Sequence, residues 1–132
     1  FVFALASSAA AAPVQGPQQP TTVQATYFHY QYRCASCIRL ERWASLAIRQ
    51  GLADSIKTGR LQWGTMDIET TRGAALAEKI GLMNKNVVLM EMRGGAMVRS
   101  KELVRTWSLL RDSVAFANYV KSETVAFLRE SR

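Results

Sequence analysis

The stretch Tyr27-Phe28-His29-Tyr30-Gln31-Tyr32-Arg33-Cys34-Ala35-Ser36-Cys37 decides how this chain is read. It closes a run, Thr22 to Tyr30, that is β-branched and aromatic with partial alternation, the pattern of a strand. Gln31 to Arg33 make a short connection. From Cys34 onward the spacing changes. Leu40, Trp43, Ala44, Ala47 and Ile48 recur at three- and four-residue steps, as one face of a helix does. Two cysteines three residues apart therefore stand where a strand ends and a helix opens. Gly51 ends or kinks that helix, and Leu52 to Lys57 add a further turn.

Working outward, Leu61 to Asp67 reads as a second strand. Thr70 or Thr71 caps a short helix with Leu76 and Ile80 on its apolar side and Gly81 as its stop. Val87 to Met92 is a third strand, Arg93-Gly94-Gly95 a tight turn, and Ala96 to Ser100 a fourth strand antiparallel to the third. Leu103, Trp107 and Leu110 suggest a helical turn. Asp112 caps a last helix with Phe116, Tyr119, Val120 and Phe127 inward. The first strand, helix and second strand can form a parallel pair through a right-handed crossover. The hairpin then extends the sheet antiparallel. The expected class is α/β: a three-layer sandwich, with a four-stranded mixed sheet and helices on both faces.

At 132 residues the chain is long enough for one domain. Its 48% apolar content builds a core without disulfide staples. The formal net charge is +7, and no charged side chain precedes Arg33. The basic residues, among them Arg39, Arg42, Arg49, Lys57, Arg60, Arg72, Lys79, Arg99 and Arg105, are interleaved with acids and apolar positions. They read as a solvated surface, or as a docking face for an acidic partner. There is no dense Lys/Arg run and no aromatic stacking motif, so nucleic acid is not expected as a partner.

Residues 1–12 read as the remnant of a signal peptide or an N-terminal anchor, apolar at first and then rich in Ala and Ser. Residues 13–21 are rich in Pro, Gln and Thr and read as a flexible linker. Residues 22–132 are the expected folded domain. The leader implies an exported protein of the periplasm or cell envelope.

The dithiol spacing has a chemical reason. Three residues along a helix return a side chain to the same face. Cys34 in the first turn can attack a disulfide, and Cys37 can resolve the mixed disulfide. Free helix N–H groups and the positive end of the helix dipole favour a thiolate at Cys34. Arg33 adds to this if its side chain folds over the sulfur. Ala35 and Ser36 help set the redox poise. Cys34 and Cys37 are the two cysteines of the chain, so the only intramolecular bridge joins them. A purely structural bridge would close a very small loop and stabilise little. Structural zinc wants four ligands, and His29 is the only histidine available to join the two thiols. No metal site within one chain is expected.

From about Val23 to Phe127 the chain resembles the thioredoxin superfamily. More narrowly, Tyr27-Phe28-His29, Tyr32-Arg33-Cys34-Ala35-Ser36-Cys37 and Lys85-Asn86-Val87-Val88-Leu89 resemble the ArsF-type nitrophenyl-compound nitroreductase subunits, small exported thioredoxin-like proteins. The Trp107 region and the Phe116 to Phe127 helix are similar too. The resemblance implies a thioredoxin-like sandwich. It also implies a partner redox protein or membrane electron carrier, with the chain acting as a monomer or as a subunit of a complex.

The chain departs from thioredoxins at four places. Arg33 stands where they carry Trp, and Ala35-Ser36 where they carry Gly-Pro. Phe28 stands where they bury an acid six residues before the first cysteine. Val87 stands at the usual cis-proline position. A cis bond before a non-proline costs about 2.5–4 kcal/mol, so Asn86–Val87 is expected trans. These departures favour a dedicated partner over general reduction of protein disulfides.

His29 has two readings: a proton carrier near the thiols, or a strand histidine satisfied by hydrogen bonds. Trp43, Trp63 and Trp107 read as core or partner-facing anchors. Met90, Met92 and Met97 read as packing residues, while Met83 sits in a loop expected to face the dithiol.

The expected activity is thiol–disulfide exchange, an oxidoreductase function whose electrons pass to or from a partner. The redox-active disulfide Cys34–Cys37 would be its only redox group, with no separate cofactor. The alternative is a non-catalytic or soft-metal- or metalloid-binding subunit of a membrane-associated reductase complex.

Overall fold

A computed structural model describes residues 20–131 of the chain. The expected leader, 1–12, and all of the expected linker but Pro20 and Thr21 lie outside the described residues. Thr21, the last residue assigned to the linker, opens the first strand, β1 (Thr21–His29). Then follow α1 (Ala35–Arg49), α2 (Ala53–Lys57), β2 (Leu61–Asp67), α3 (Thr71–Ile80), β3 (Asn86–Arg93), β4 (Ala96–Glu102), a 3-10 turn at Trp107–Leu109, and α4 (Ser113–Glu130).

The strands form one mixed sheet in the order β2-β1-β3-β4. β2 runs parallel to β1, with Val23 opposite Leu61 and His29 opposite Asp67. β3 runs antiparallel to β1, with Thr22 opposite Met92 and Phe28 opposite Asn86. β4 folds back on β3. The parallel pair requires a crossover, which α1 and α2 supply. The antiparallel pair requires only a tight turn. Gly94 and Gly95 supply it at φ 60° and 78°, a conformation that side chains disfavour. This is the α/β class expected from the sequence, and it is consistent with a thioredoxin-like sandwich.

Strand alternation sorts the core to two faces. Val23, Ala25 and Tyr27 of β1, with Val87 and Leu89 of β3, bury against Leu40, Ala44 and Ile48 of α1 and Phe116, Val120 and Phe127 of α4. On the opposite face Phe28, Val88 and Met90 pack with Leu76 and Ile80 of α3. Phe28 is therefore on the face away from α1.

Local signals place the helix ends. The Thr70 side chain accepts the Gly73 N–H at 3.0 Å and starts α3. Gly81, left-handed at φ 77°, stops it. The Asp112 carboxylate accepts the Ala115 N–H at 3.0 Å and starts α4.

Several boundaries differ from the sequence expectation: β1 ends at His29, one residue before Tyr30, and β3 spans Asn86–Arg93, one residue more at each end than Val87 to Met92. β4 runs on to Glu102, beyond Ser100, because Leu89 and Val88 pair with Lys101 and Glu102. As an edge strand it can carry those charges into solvent. Cys34 is the N-cap of α1, not a residue of its first turn. Its backbone is extended at φ −75° and ψ 164°.

All described peptide bonds are trans, Asn86–Val87 included. Among the described residues no helix is long and apolar enough to cross a membrane.

Candidate redox site

The site lies at the end of β1, where the chain leaves the sheet and turns into α1. Cys34 and Cys37 are joined by a disulfide. Cys34 caps the helix with its own sulfur: the Cys37 backbone N–H points at Cys34 Sγ, 3.1 Å away. A helix N-terminus leaves its first N–H groups without internal partners, and a sulfur at the cap meets one of them. The two sulfurs differ in access. Cys34 is half-buried, whereas Cys37 is fully buried. Ala35 and Ser36, between them, are exposed.

The cation nearest in sequence does not serve the sulfur. The Arg33 guanidinium pairs with the Glu41 carboxylate one helical turn beyond the dithiol. It also lies over the Tyr27 ring, 5.9 Å from its centroid. The condition on which Arg33 would add to the thiolate, a side chain folded over the sulfur, gives way to an ion pair, because α1 brings a carboxylate within its reach.

A cation distant in sequence takes the place. Lys85, in the connection between α3 and β3, holds its Nζ 4.0 Å from Cys34 Sγ. Sequence reading missed Lys85 as a site residue. The signal available was its position just before β3, in the loop expected to face the dithiol. Met83, the residue singled out in that loop, is 92% exposed.

Trp107 braces Lys85. Its indole N–H donates to the Lys85 carbonyl at 2.9 Å, and the Lys85 ammonium stands 5.7 Å from the indole ring centroid. Next along β3, the buried Asn86 donates to Glu102 at 3.0 Å and accepts the Val87 N–H at 2.8 Å. Val87 is fully buried beneath this network.

His29 ends β1. Its Nδ1 lies 2.9 Å from the Tyr30 carbonyl oxygen, which can only accept, so that nitrogen carries the hydrogen. The ring is thus tied to backbone. Among the described residues its one hydrogen bond is this local one.

Tyr27, two residues earlier, is buried, and its hydroxyl finds no hydrogen-bond partner among the described residues. Burial pushes that hydroxyl above its ordinary pKa, and the Arg33 guanidinium partly offsets the rise.

Trp43, Trp63 and Trp107 are all partly buried against the α1/α4 core. Met90 is buried on the α3 face, with Met92 and Met97 against it.

Chemically the arrangement offers one accessible sulfur with a positive neighbourhood and one shielded sulfur bonded to it. Among the described residues no three His, Cys, Asp or Glu side chains come together as a metal site. Neither the models of known protein families nor the curated proteins give a significant match to this chain.

Proposed function

We propose that the protein carries out thiol–disulfide exchange with a partner protein, with Cys34 as the attacking sulfur and Cys37 as the resolving one. The observation that supports this is the asymmetry of the pair. Cys34 is half-exposed at a helix N-terminus and beside an ammonium group, whereas Cys37 is fully buried.

In the donor direction the Cys34 thiolate attacks one sulfur of a partner disulfide. A mixed disulfide forms, and the partner's other sulfur leaves as a thiolate. The Cys37 thiolate then attacks Cys34 Sγ. The intramolecular disulfide forms, and the partner leaves as a dithiol, two electrons richer. The same steps in reverse oxidise a partner dithiol.

The resemblance to exported thioredoxin-like subunits extends this reading. The partner is a dedicated redox protein or a membrane electron carrier, and the compartment is the periplasm or cell envelope. In an oxidising compartment the pair must be reduced by such a carrier before it can act as a donor.

Oxidised glutathione serves as a defined disulfide substrate for the test. The reduced wild-type protein should consume it and end as the Cys34–Cys37 disulfide. Cys37→Ser should stop at a glutathione adduct on Cys34, visible by mass spectrometry. Cys34→Ser should react far more slowly. A Cys34→Ser protein that reacts as fast as wild type contradicts the assignment.

A further inference from the structure

Two polar groups meet the Cys34 sulfur, the Cys37 N–H and the Lys85 ammonium, while the adjacent Arg33 turns elsewhere; the three are not equivalent. The Cys37 N–H of the helix terminus is a feature of any capping residue. Arg33 is neutralised by Glu41. Lys85 differs from both. Its ammonium approaches the sulfur to 4.0 Å across 51 residues of sequence, and it forms no ion pair with a carboxylate among the described residues.

A lysine side chain has four rotatable carbons, and an unrestrained one spends little time at a single contact. Lys85 is restrained at both ends. Its carbonyl accepts the Trp107 indole N–H at 2.9 Å, and its ammonium faces the indole ring. A second tie fixes the next residue: the Asn86 side-chain Oδ1 accepts the Thr106 hydroxyl hydrogen at 2.5 Å, with both residues buried. Two consecutive residues of the loop–strand junction are thus held by two consecutive residues of the turn after β4. The side chain that this bracing aims at the sulfur is a cation.

We infer that Lys85 is the residue that makes Cys34 the reactive thiolate of the reduced pair, and that Trp107 is the positioning residue holding the Lys85 ammonium against it. An ammonium at this distance favours the charged form of a thiol and leaves the neutral disulfide untouched. It therefore stabilises the reduced protein and makes the pair more oxidising. The use of that thiolate rests on the exchange function proposed above, but the thiolate itself is measurable without any partner. The other ionisable groups at this end of the molecule include Tyr27, His29, Tyr30, Tyr32, Arg33 and Glu41, with Asp67 opposite His29, Glu69 on the Gln31 N–H and Glu102 on the Asn86 amide. Of these, Arg33 and Glu41 satisfy each other and His29 is bound to the Tyr30 carbonyl.

The test is the pH dependence of Cys34 alkylation by iodoacetamide, in the Cys37→Ser background so that one sulfur reports. Lys85→Met keeps the stem and removes the charge. It should move the profile to higher pH and slow alkylation roughly three- to tenfold on the acidic side of the midpoint, one pH unit being tenfold. Lys85→Arg should restore most of the rate. Trp107→Phe, which keeps a ring and loses the donor, should shift the profile in the same direction by less. With both cysteines present, Lys85→Met should move the dithiol–disulfide equilibrium about threefold toward the disulfide, ~14 mV for a two-electron couple.

A Lys85→Met profile superimposed on wild type overturns the inference. So does a Lys85→Arg profile as shifted as that of Lys85→Met, which would mark a shape effect and not a charge. An unshifted Trp107→Phe profile removes the positioning role. A shifted Lys85→Met profile in a protein that exchanges no disulfide would sustain this inference and remove the proposed function. An unshifted one in a protein that does exchange would do the reverse.

Discussion

The Thr106 hydroxyl donates to the Asn86 side-chain carbonyl at 2.5 Å, and both residues are buried. Asn86 opens β3, and Thr106 lies in the turn that follows β4. The bond therefore ties the loop beside the dithiol to a segment that enters the fold much later. Asn86 uses both ends of its side chain: the amide N–H donates to Glu102, and the carbonyl also accepts the Val87 N–H.

Because the group is buried, removing one partner strands the others. Asn86→Ala leaves the Thr106 hydroxyl and the Val87 N–H unmatched. It should cost about 1–3 kcal/mol of unfolding free energy by chemical denaturation. Asn86→Ala and Thr106→Val should couple by about 0.5–3 kcal/mol in a double-mutant cycle. Additive effects would show that the contact contributes nothing of its own.

Arg99 is the second long-range tie. From β4 it reaches the C-terminal end of α4, donating to the Phe127 carbonyl at 3.0 Å and the Ser131 hydroxyl at 2.7 Å. It pairs with Glu130 at 2.7 Å and with the buried Glu91 at 3.5 Å, and it lies over the Phe127 ring. Arg60 serves the same helix end through the Leu128 carbonyl. Cations at the last carbonyls of a helix offset its dipole. Arg99→Met should lower stability by about 1–3 kcal/mol, much of it from leaving Glu91 buried without a partner. Arg99→Lys should recover only part, since a single ammonium nitrogen cannot span the separated acceptors that the two guanidinium nitrogens reach. Full recovery in Arg99→Lys would reduce the role to simple charge.

Tyr27 predicts an alkaline effect. Its hydroxyl is buried, lacks a hydrogen-bond partner among the described residues, and has its pKa raised chiefly by that burial. Near neutral pH the group is uncharged in both the folded and unfolded chain. Above about pH 10 the unfolded chain ionises first, so stability falls as pH rises toward the folded-state value. Tyr27→Phe should be neutral or stabilising by about 1 kcal/mol at pH 7, because it removes an unsatisfied hydroxyl. It should also flatten the fall in melting temperature above pH 10. A loss of several kcal/mol at pH 7 would mean that the hydroxyl has a partner it needs.

These ties mark the boundary of what the sequence discloses. The alternation Val23, Ala25, Tyr27 and the stride Leu40, Ala44, Ile48 are local periodicities, and they do bury as one face. The caps Thr70 and Asp112 and the stop Gly81 act within one helical turn, so they too are legible. The boundary at Cys34 is harder, because a sulfur serves as a cap there in place of a usual oxygen.

What local pattern cannot supply is which distant side chain lands on which group. Arg33 stands next to Cys34 in sequence, yet α1 hands it Glu41. Lys85 reaches the sulfur because β3 lies beside β1 in the sheet. Arg99 and Arg60 look like surface charge in the sequence and prove to hold the end of α4. Each of these contacts depends on strand order, which is settled only once the whole sheet has formed.

The proposed function requires that Cys34 and Cys37 form a working redox couple. The measurement that tests it most directly is their reduction potential, by thiol trapping across defined glutathione and dithiothreitol buffers. A reversible two-electron couple is expected between about −270 and −120 mV, the span from thioredoxin to a strong periplasmic oxidant. No reversible couple, or a potential below about −300 mV as structural disulfides show, would contradict it.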